Sequence, residues 1–353
     1  MTSLTDLRQA VDVVIGVDTH VNTHTAAVVD ARTGGVLAEL TVPTTPAGYA
    51  RLVDLADEHS ALRAWAIEGT GGHGAGLARA LASGDEVVVE LDRPQRAARR
   101  NGAKSDPLDA VRAAREALSR TRLGTPRTGG DRQALSVLLA ARRSAVEASA
   151  DAQRQVFSLV IAAPDKIRDK FRGQKVPQML TTAAALRVHS SWDVETRTTV
   201  TVLRSLARRA QNLTAEADEH AKTILALVHA WRPDLLDLPG VGPITAAVVL
   251  CAWSHPGRIH SEAAFAMLAG AAPIPANSGQ VTSRYRLNRY GDRQLNRALH
   301  TIAVSRTRYH QPTRDYVARR TTEGKTPREI KRCLKRYIAR DLYRRLENSP
   351  VTT

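Results

Sequence analysis

The first third of the chain alternates short apolar runs with polar turns, a pattern that predicts a small sheet with helices packed against it. Apolar side chains at helical spacing occupy residues 48–58 and 74–83. Five runs rich in apolar and β-branched side chains are predicted strands: residues 11–17, 25–29, 36–42, 64–68 and 86–91. The first three follow one another as hairpins, and the order β-β-β-α-β-α-β-α predicts an RNase H-like domain.

The pattern changes at the Pro- and Gly-containing residues 124–130, after which the apolar positions follow helical spacing. One long amphipathic helix is predicted from about Leu135, ended by Pro164, and a second begins at about Thr196. The spacing is not a clean heptad, so a plain antiparallel bundle and an oligomerising coiled coil both remain open. We therefore predict an α/β plus α fold with three domains: an RNase H-like domain at 1–126, a long helical, coiled-coil region at 127–232 and a mainly α domain at 233–353.

The charge balance changes this picture, because 51 basic residues against 35 acidic ones give 353 residues a net charge of +16. Such an excess favours a polyanionic partner, since neutralising phosphates releases counterions. Cys251 and Cys333 are the only cysteines, which fits a reducing cytoplasm. The sequence shows no membrane span and no signal peptide, so we expect a cytoplasmic protein.

Four carboxylates stand at positions where a metal site is expected. Asp18 follows the first strand and Glu68 follows the fourth, and these strands are neighbours in an RNase H-like sheet. Asp106 and Asp109 are three residues apart, on one face of a helix whose first turn suits Pro107. Four oxygen ligands of this kind favour Mg²⁺, which would promote phosphoryl chemistry. Each residue alone is also typical of a turn or a helix cap, so the prediction depends on the set.

A loop of small and polar residues places Ser278 before Gly279 among several arginines. A serine surrounded by guanidinium groups is able to attack a phosphodiester, although the pattern alone favours a turn serine that contacts phosphate. The arginines that follow are Arg284, Arg286, Arg289, Arg293 and Arg297.

Three further segments are candidates for contact with nucleic acid. Leu238-Pro-Gly-Val-Gly-Pro243 is typical of a helix-hairpin-helix, in which Gly240 and Gly242 allow backbone amides to approach phosphates; a simple glycine turn is the alternative. Residues 314–346 form a basic segment with interleaved tyrosines, predicted as one helix. A smaller basic cluster precedes the Asp106 helix: Arg93, Arg96, Arg99, Arg100 and Lys104.

As an ordered set, these motifs resemble the DEDD insertion-sequence transposases related to the Piv and MooV invertases. The resemblance covers nearly the whole chain. One departure is Asp292, where the family often has Asn, and it puts a local phosphate or structural contact in doubt. The matching motifs are Gly16-Val-Asp18, Glu68-Gly-Thr-Gly71, Lys104-Ser-Asp-Pro-Leu-Asp-Ala110, the Leu238 hairpin and Asn277-Ser-Gly279.

The resemblance implies a RuvC-like N-terminal domain, a helical coiled-coil segment and a C-terminal transposase domain. It implies Mg²⁺ at Asp18, Glu68, Asp106 and Asp109, and it makes Ser278 a nucleophile that links transiently to DNA. It also implies a structured guide RNA from the element, donor and target DNA, and a dimer or tetramer in which one subunit's carboxylates act with another's serine. We expect such a bacterial protein to be associated with the nucleoid.

Three other functions compete with recombination. A RuvC-like nuclease would use metal-activated water instead of Ser278. An actin-fold kinase or ATPase is suggested by Gly16-Val-Asp-Thr19 before a hairpin, but the sequence has no second phosphate loop and no adenosine motif. A decayed transposase would bind nucleic acid without catalysis, which the presence of all four carboxylates argues against.

Overall fold

The computed structural model describes residues 6–91, 106–276, 285–288 and 290–348. These residues form two compact units. The first contains the chain up to Gly129 together with Ser254–His260, and the second contains Gly130–Trp253 and the chain from Ser261 onward. The division into domains at 1–126, 127–232 and 233–353 stays a prediction.

The first unit is a five-stranded mixed sheet with helices on both faces. Strands β1, β2 and β3 form an antiparallel meander, and β4 and β5 continue the sheet in parallel on the other side of β1, in the order β3-β2-β1-β4-β5. The predicted hairpins and the pairing of the first and fourth strands are confirmed, and the topology is consistent with an RNase H-like domain. The elements are α1 (Leu7–Ala10), β1 (Val13–Thr19), β2 (Thr23–Asp30), β3 (Val36–Pro43), α2 (Pro46–Asp57), β4 (Arg63–Glu68), α3 (Ala75–Ser83), β5 (Val88–Leu91) and α4 (Asp106–Ser119).

Alternation along β1 sends its side chains to two different cores. Val13, Ile15 and Val17 pack with side chains of α2 and α3, whereas Val14 packs with the alanine-rich face of α4. This follows from the period of two along a strand. Gly16, Asp18 and His20 follow Val14 at steps of two residues, so they lie on the α4 face of the sheet.

A buried carboxylate joins the returning segment 254–260 to the edge of this unit. Glu90 on β5 accepts a hydrogen bond from Thr70 Oγ1 at 2.7 Å and lies 3.4 Å from the Nη2 atom of Arg258. Arg127 lies 3.6 Å from the same carboxylate. A buried charge needs such partners, so Glu90 has a structural role that its position in an apolar strand did not reveal.

The second unit is mainly helical and is built on two long helices. Ser149 of α5 donates to the carbonyl oxygen of Ala210 on α8 at 3.0 Å, while Lys166, just after α5, pairs with Asp193, just before α8. The predicted pairing of two long helices is confirmed, and the two helices run antiparallel. The elements are α5 (Gly130–Ala162), α6 (Asp165–Arg168), a 3-10 turn (Asp169–Phe171), α7 (Val176–Ala185), α8 (Val194–Trp231), a 3-10 turn (Pro233–Leu235), α9 (Pro243–Trp253), α10 (Glu262–Leu268), β6 (Pro273–Pro275), β7 (Tyr285–Leu287), α11 (Arg293–Tyr309), α12 (Gln311–Thr322) and α13 (Pro327–Asn348).

The basic C-terminal segment is two helices, so the prediction of one helix over 314–346 was wrong. Gly324 lies between α12 and α13 with φ of +81°, a conformation that favours glycine and ends the first helix. Tyr316 and Tyr337 meet edge to face across the two helices, with ring centroids 5.7 Å apart. These two tyrosines of the basic segment thus pack on each other. Within the described residues, no helix has the length and apolar character needed to cross a membrane.

Candidate active site

Three side chains from two elements converge at the end of β1. The Nε2 atom of His20 lies 3.3 Å from the Oδ2 atom of Asp18 and 3.5 Å from the Oδ1 atom of Asp106. One donor atom from each of the three residues lies within 4.8 Å of the others. The sequence prediction included Asp18 and Asp106 but missed His20. Its signal was the Asp18-Thr-His20 spacing, which puts two side chains on one face at the end of a strand.

Gly16 is the residue that brings α4 to this point. A Cβ atom on Gly16 would lie 2.0 Å from the carbonyl oxygen of Ala110 and 2.6 Å from the amide nitrogen of Ala114. Helix α4 therefore rests directly on the backbone of β1. Asp106 lies four residues before Ala110, on the same face of α4, so it comes next to Asp18 at the strand end.

The backbone of Glu68 lies at the same edge of the sheet as the end of β1. Strands β1 and β4 are parallel, with Val17 opposite Ile67, and Thr19 Oγ1 donates to the carbonyl oxygen of Glu68 at 3.1 Å. Neither Glu68 nor Asp109 belongs to the group of three donors. Asp109 instead accepts a hydrogen bond from Arg112 at 2.8 Å. The structure thus brings Asp18 and Asp106 together and leaves Glu68 and Asp109 beside them.

The electrostatic environment of Asp18 is that of a site suited to a cation. Burial raises the pKa of Asp18, His20 lowers it, and the charges of Asp106 and Asp109 raise it further. The side chain of Asp18 is 18% exposed, whereas those of His20 and Asp106 are about half exposed. Carboxylate oxygens and an imidazole nitrogen are donors that divalent cations accept, so the residues fit a divalent metal ion.

The segment that contains Ser278 lies in the sequence between two short strands that pair with each other. Ser278, Arg284 and Arg289 lie outside the described residues, but the strands on either side, β6 and β7, pair antiparallel from Pro273–Leu287 to Pro275–Tyr285. After β7, a Cβ atom on Gly291 would lie 2.3 Å from the amide nitrogen of Gly270. The backbone before β6 and the backbone after β7 therefore touch each other at Gly270 and Gly291.

Asp292 caps helix α11. Its Oδ1 atom accepts hydrogen bonds from the amides of Gln294 at 2.8 Å and Leu295 at 3.0 Å. Asp and Asn are equally good residues at the N-cap of a helix. Asp292 therefore preserves the local structure although the family often has Asn here. Arg293 and Arg297 are exposed and lie one turn apart on α11, and Arg286 is exposed on β7.

The glycine turn before α9 packs closely on α11. Gly240 has φ of +76°, and a Cβ atom there would lie 3.0 Å from the carbonyl oxygen of Ile302. The amide of Gly242 donates to Thr245 Oγ1 at 3.0 Å. Arg306, which is buried, donates from Nε to the carbonyl oxygen of Pro239 at 2.8 Å. The close approach of α11 therefore explains why residue 240 is a glycine. The amide of Gly242 is hydrogen-bonded within the turn. The basic cluster Arg93, Arg96, Arg99, Arg100 and Lys104 lies outside the described residues.

Two protein-family models match the chain, each over a different part. A transposase model of the DEDD type named after IS110 matches residues 15–161, which include Asp18, Glu68, Asp106 and Asp109. The model of the transposase family IS116/IS110/IS902 matches residues 233–318, which include the glycine turn and Ser278.

Two curated proteins from insertion elements are similar to the chain. It is 26% identical to the uncharacterized 42 kDa protein of insertion element IS900 from Mycobacterium paratuberculosis, over 306 aligned residues that cover 74% of this chain and 77% of that protein. It is 35% identical over 98 residues to the uncharacterized 43.6 kDa protein of insertion element IS110 from Streptomyces coelicolor, which covers 28% of this chain and 24% of that protein.

Taken together, the two family matches, which cover separate parts of the chain, support a transposase, an enzyme that cuts and rejoins DNA. The family they support is the IS110 family of DEDD transposases. A transposase family implies DNA as a partner, and the DEDD family together with the acidic cluster suggests a divalent metal ion as cofactor.

Proposed function

We propose that this protein is an insertion-sequence transposase and site-specific recombinase, related to the Piv and MooV invertases, that cuts and rejoins DNA through a covalent serine intermediate. The observation that carries the proposal is the convergence of Asp18 and Asp106 from β1 and α4, in a chain similar to IS110-type transposases. Two carboxylates at the edge of an RNase H-like sheet support metal-dependent phosphate chemistry.

The metal site of this proposal consists of Asp18, Glu68, Asp106 and Asp109 and takes Mg²⁺. When bound, Mg²⁺ supplies a Lewis acid that stabilises negative charge on phosphate oxygens. The burial of Asp18 and the neighbouring charges of Asp106 and Asp109, which raise its pKa, support this assignment because a cation would relieve their mutual repulsion. The hydrogen bond from Arg112 holds the Asp109 carboxylate beside the site.

Ser278 is the proposed nucleophile. Its Oγ forms a bond to phosphorus, the bond between that phosphorus and a deoxyribose oxygen breaks, and the oxygen leaves with the proton that the serine gives up. Attack by another deoxyribose hydroxyl on the phosphoserine rejoins the strand and returns the proton to Ser278. One phosphodiester is consumed and one is formed, so no nucleotide is needed. Arg284, Arg286, Arg289, Arg293 and Arg297 hold the phosphates.

The nucleic-acid partners are donor DNA, target DNA and a structured guide RNA from the element. The net charge of +16 supports binding to polyanions. Contacts with backbone phosphates are assigned to the helix-hairpin-helix at Gly240 and Gly242 and to the basic cluster Arg93, Arg96, Arg99, Arg100 and Lys104. The protein acts in the bacterial cytoplasm at the nucleoid, as a dimer or tetramer that shares its sites between subunits.

A suicide substrate, in which the cleaved strand cannot be rejoined, tests the serine intermediate. Wild-type protein with Mg²⁺ should accumulate a protein–DNA adduct, and Ser278→Ala should lose both adduct and cleavage. Ser283→Ala, in the same segment of the sequence, is the matched control and should retain both. If Ser278→Ala still cleaves without an adduct, water is the nucleophile and the protein is a RuvC-like nuclease.

Co-purification tests the guide RNA separately. Protein expressed with the whole element should retain one discrete RNA through a high-salt wash, whereas protein from a host without the element should not. Recovery of the protein free of RNA from the host that carries the element would contradict this part of the proposal.

A further inference from the structure

We propose that His20 is a ligand of the metal ion held by Asp18 and Asp106, so that the site has a mixed nitrogen and oxygen donor set. The inference rests on the proposed metal site and adds to it a residue outside the four carboxylates. His20 contributes Nε2 at the point where side chains from β1 and α4 meet.

The distances from His20 Nε2 to the two carboxylates are close to those between neighbouring ligands around one ion. Ligands at about 2.0–2.1 Å from an octahedral ion lie roughly 3 Å apart at adjacent positions. The Nε2 atom of His20 lies 3.3 Å from Asp18 Oδ2 and 3.5 Å from Asp106 Oδ1. The third pair, Asp18 and Asp106, has donor atoms within 4.8 Å of each other, and the half-exposed His20 and Asp106 side chains have room to adjust around an ion.

The backbone of His20 is held in place by the β1–β2 hairpin. The amide of His20 donates to the carbonyl oxygen of Thr23 at 3.0 Å, which closes the turn. The turn is itself tied to the end of β3, where the amide of Thr44 donates to Asn22 O at 3.0 Å and Thr44 Oγ1 donates to Val21 O at 3.0 Å. A ligand on such a fixed turn needs little ordering when the ion binds.

The donor set determines which ions the site prefers. Carboxylate oxygens alone suit Mg²⁺ and Mn²⁺, whereas an imidazole adds affinity for transition metals and little for Mg²⁺. We therefore expect the protein to bind Mn²⁺ more tightly than Mg²⁺, with His20 responsible for a large part of the difference. The exposed side of His20 and Asp106 leaves room for a phosphate oxygen on the same ion.

The test measures metal binding by the full-length protein, without DNA. Mn²⁺ is titrated and the free ion is followed by electron paramagnetic resonance, for wild type, His20→Phe, Asp18→Asn and the control His59→Phe, which changes an exposed histidine after α2. The dissociation constant for Mn²⁺ should rise at least about tenfold in His20→Phe, because loss of an outer-shell partner already costs roughly 10–100-fold. Mg²⁺, measured by competition, should weaken less, and His59→Phe should match wild type.

A spectroscopic measurement identifies the ligand directly. Protein labelled with ¹⁵N-histidine should show coupling between bound Mn²⁺ and a histidine nitrogen, and His20→Phe should abolish it. Unchanged or tighter Mn²⁺ binding by His20→Phe, with binding lost in Asp18→Asn, would overturn the role of His20 alone. If wild type binds neither ion, or Asp18→Asn binds like wild type, the proposed carboxylate site fails as well.

Discussion

Gly16 and Ala110 are in backbone contact: a Cβ atom on Gly16 would lie 2.0 Å from the carbonyl oxygen of Ala110. No side chain separates strand β1 from helix α4 at this point. The contact sets the height of α4 above the sheet, and with it the position of Asp106 over Asp18. A glycine in a buried strand, which carries no chemistry, thus determines whether the two carboxylates meet.

Gly16→Ala is therefore expected to damage the site without touching a ligand. The added methyl group must push α4 away from β1, and overpacking of this kind costs about 1–3 kcal/mol or more in the free energy of unfolding. Mn²⁺ affinity should fall more than tenfold because Asp106 moves away from Asp18. Urea unfolding and metal titration measure the two effects. Gly129→Ala is the control, since a Cβ atom there has no neighbour within 4 Å; wild-type metal affinity in Gly16→Ala would refute the argument.

Glu86→Gln should destabilise the first unit in a pH-dependent way. Glu86 accepts hydrogen bonds from Arg63 Nε at 3.0 Å and from Trp65 Nε1 at 2.8 Å, and both charged side chains are about nine-tenths buried. At pH 7 the loss should be somewhat below the about 3–5 kcal/mol of a broken buried pair, because Asp57 still contacts Arg63.

The sign of the pH effect follows from Arg63, whose hydrogen bonds lower the pKa of Glu86 below its ordinary value of 4.5. The stabilisation by Glu86 is complete above pH 4.5 and is lost as the pH falls through the lowered pKa of the folded state. The difference between wild type and Glu86→Gln should therefore be constant from pH 7 to about pH 5 and shrink below it. Urea unfolding at several pH values measures this, with the exposed Glu39→Gln as control. A difference that grows on acidification would contradict the assignment.

Arg232→Lys should destabilise the helical unit even though the charge is kept. Arg232 is 1% exposed, contacts both carboxylate oxygens of Asp234 at 2.7 and 2.8 Å, and donates to the carbonyl oxygens of Arg345 and Leu346 near the end of α13. A lysine cannot reproduce this planar set of donors. Leaving buried acceptors unsatisfied costs about 1–3 kcal/mol each, so a loss of at least about 2 kcal/mol is expected in thermal or urea unfolding. Arg209→Lys, at an exposed position of α8, should be neutral.

Gly291→Ala should impair the serine chemistry and leave metal binding intact. Its Cβ atom would lie 2.3 Å from the amide nitrogen of Gly270, so the base of the segment between β6 and β7 must shift. Adduct formation on the suicide substrate should fall at least tenfold, because small displacements of a reacting group are costly. Mn²⁺ affinity should equal that of wild type, since the ligands lie in the other compact unit. Normal adduct yield would show that this contact does not position Ser278.

Local patterns predicted the elements well because period-two and helical spacing report which face of an element is buried. The β1–β2–β3 meander and the two long helices α5 and α8 follow from such patterns. The basic C-terminal segment was predicted wrongly because charge and aromatic spacing continue across Gly324, where the backbone turns. The pattern also missed the buried Glu90, whose partners Thr70 and Arg258 come from distant parts of the chain.

The candidate site divides in the same way. By itself the sequence determined that Asp18 and Glu68 lie near the ends of strands and that Asp106 and Asp109 lie in the first turn of a helix, because strand ends and helix starts are local properties. Tertiary structure decided that Asp106 and His20 meet Asp18, while Asp109 turns to Arg112. That choice depends on how closely α4 approaches β1, a distance set by the missing side chain of Gly16 and by packing between residues about ninety positions apart, which no periodicity along the chain records.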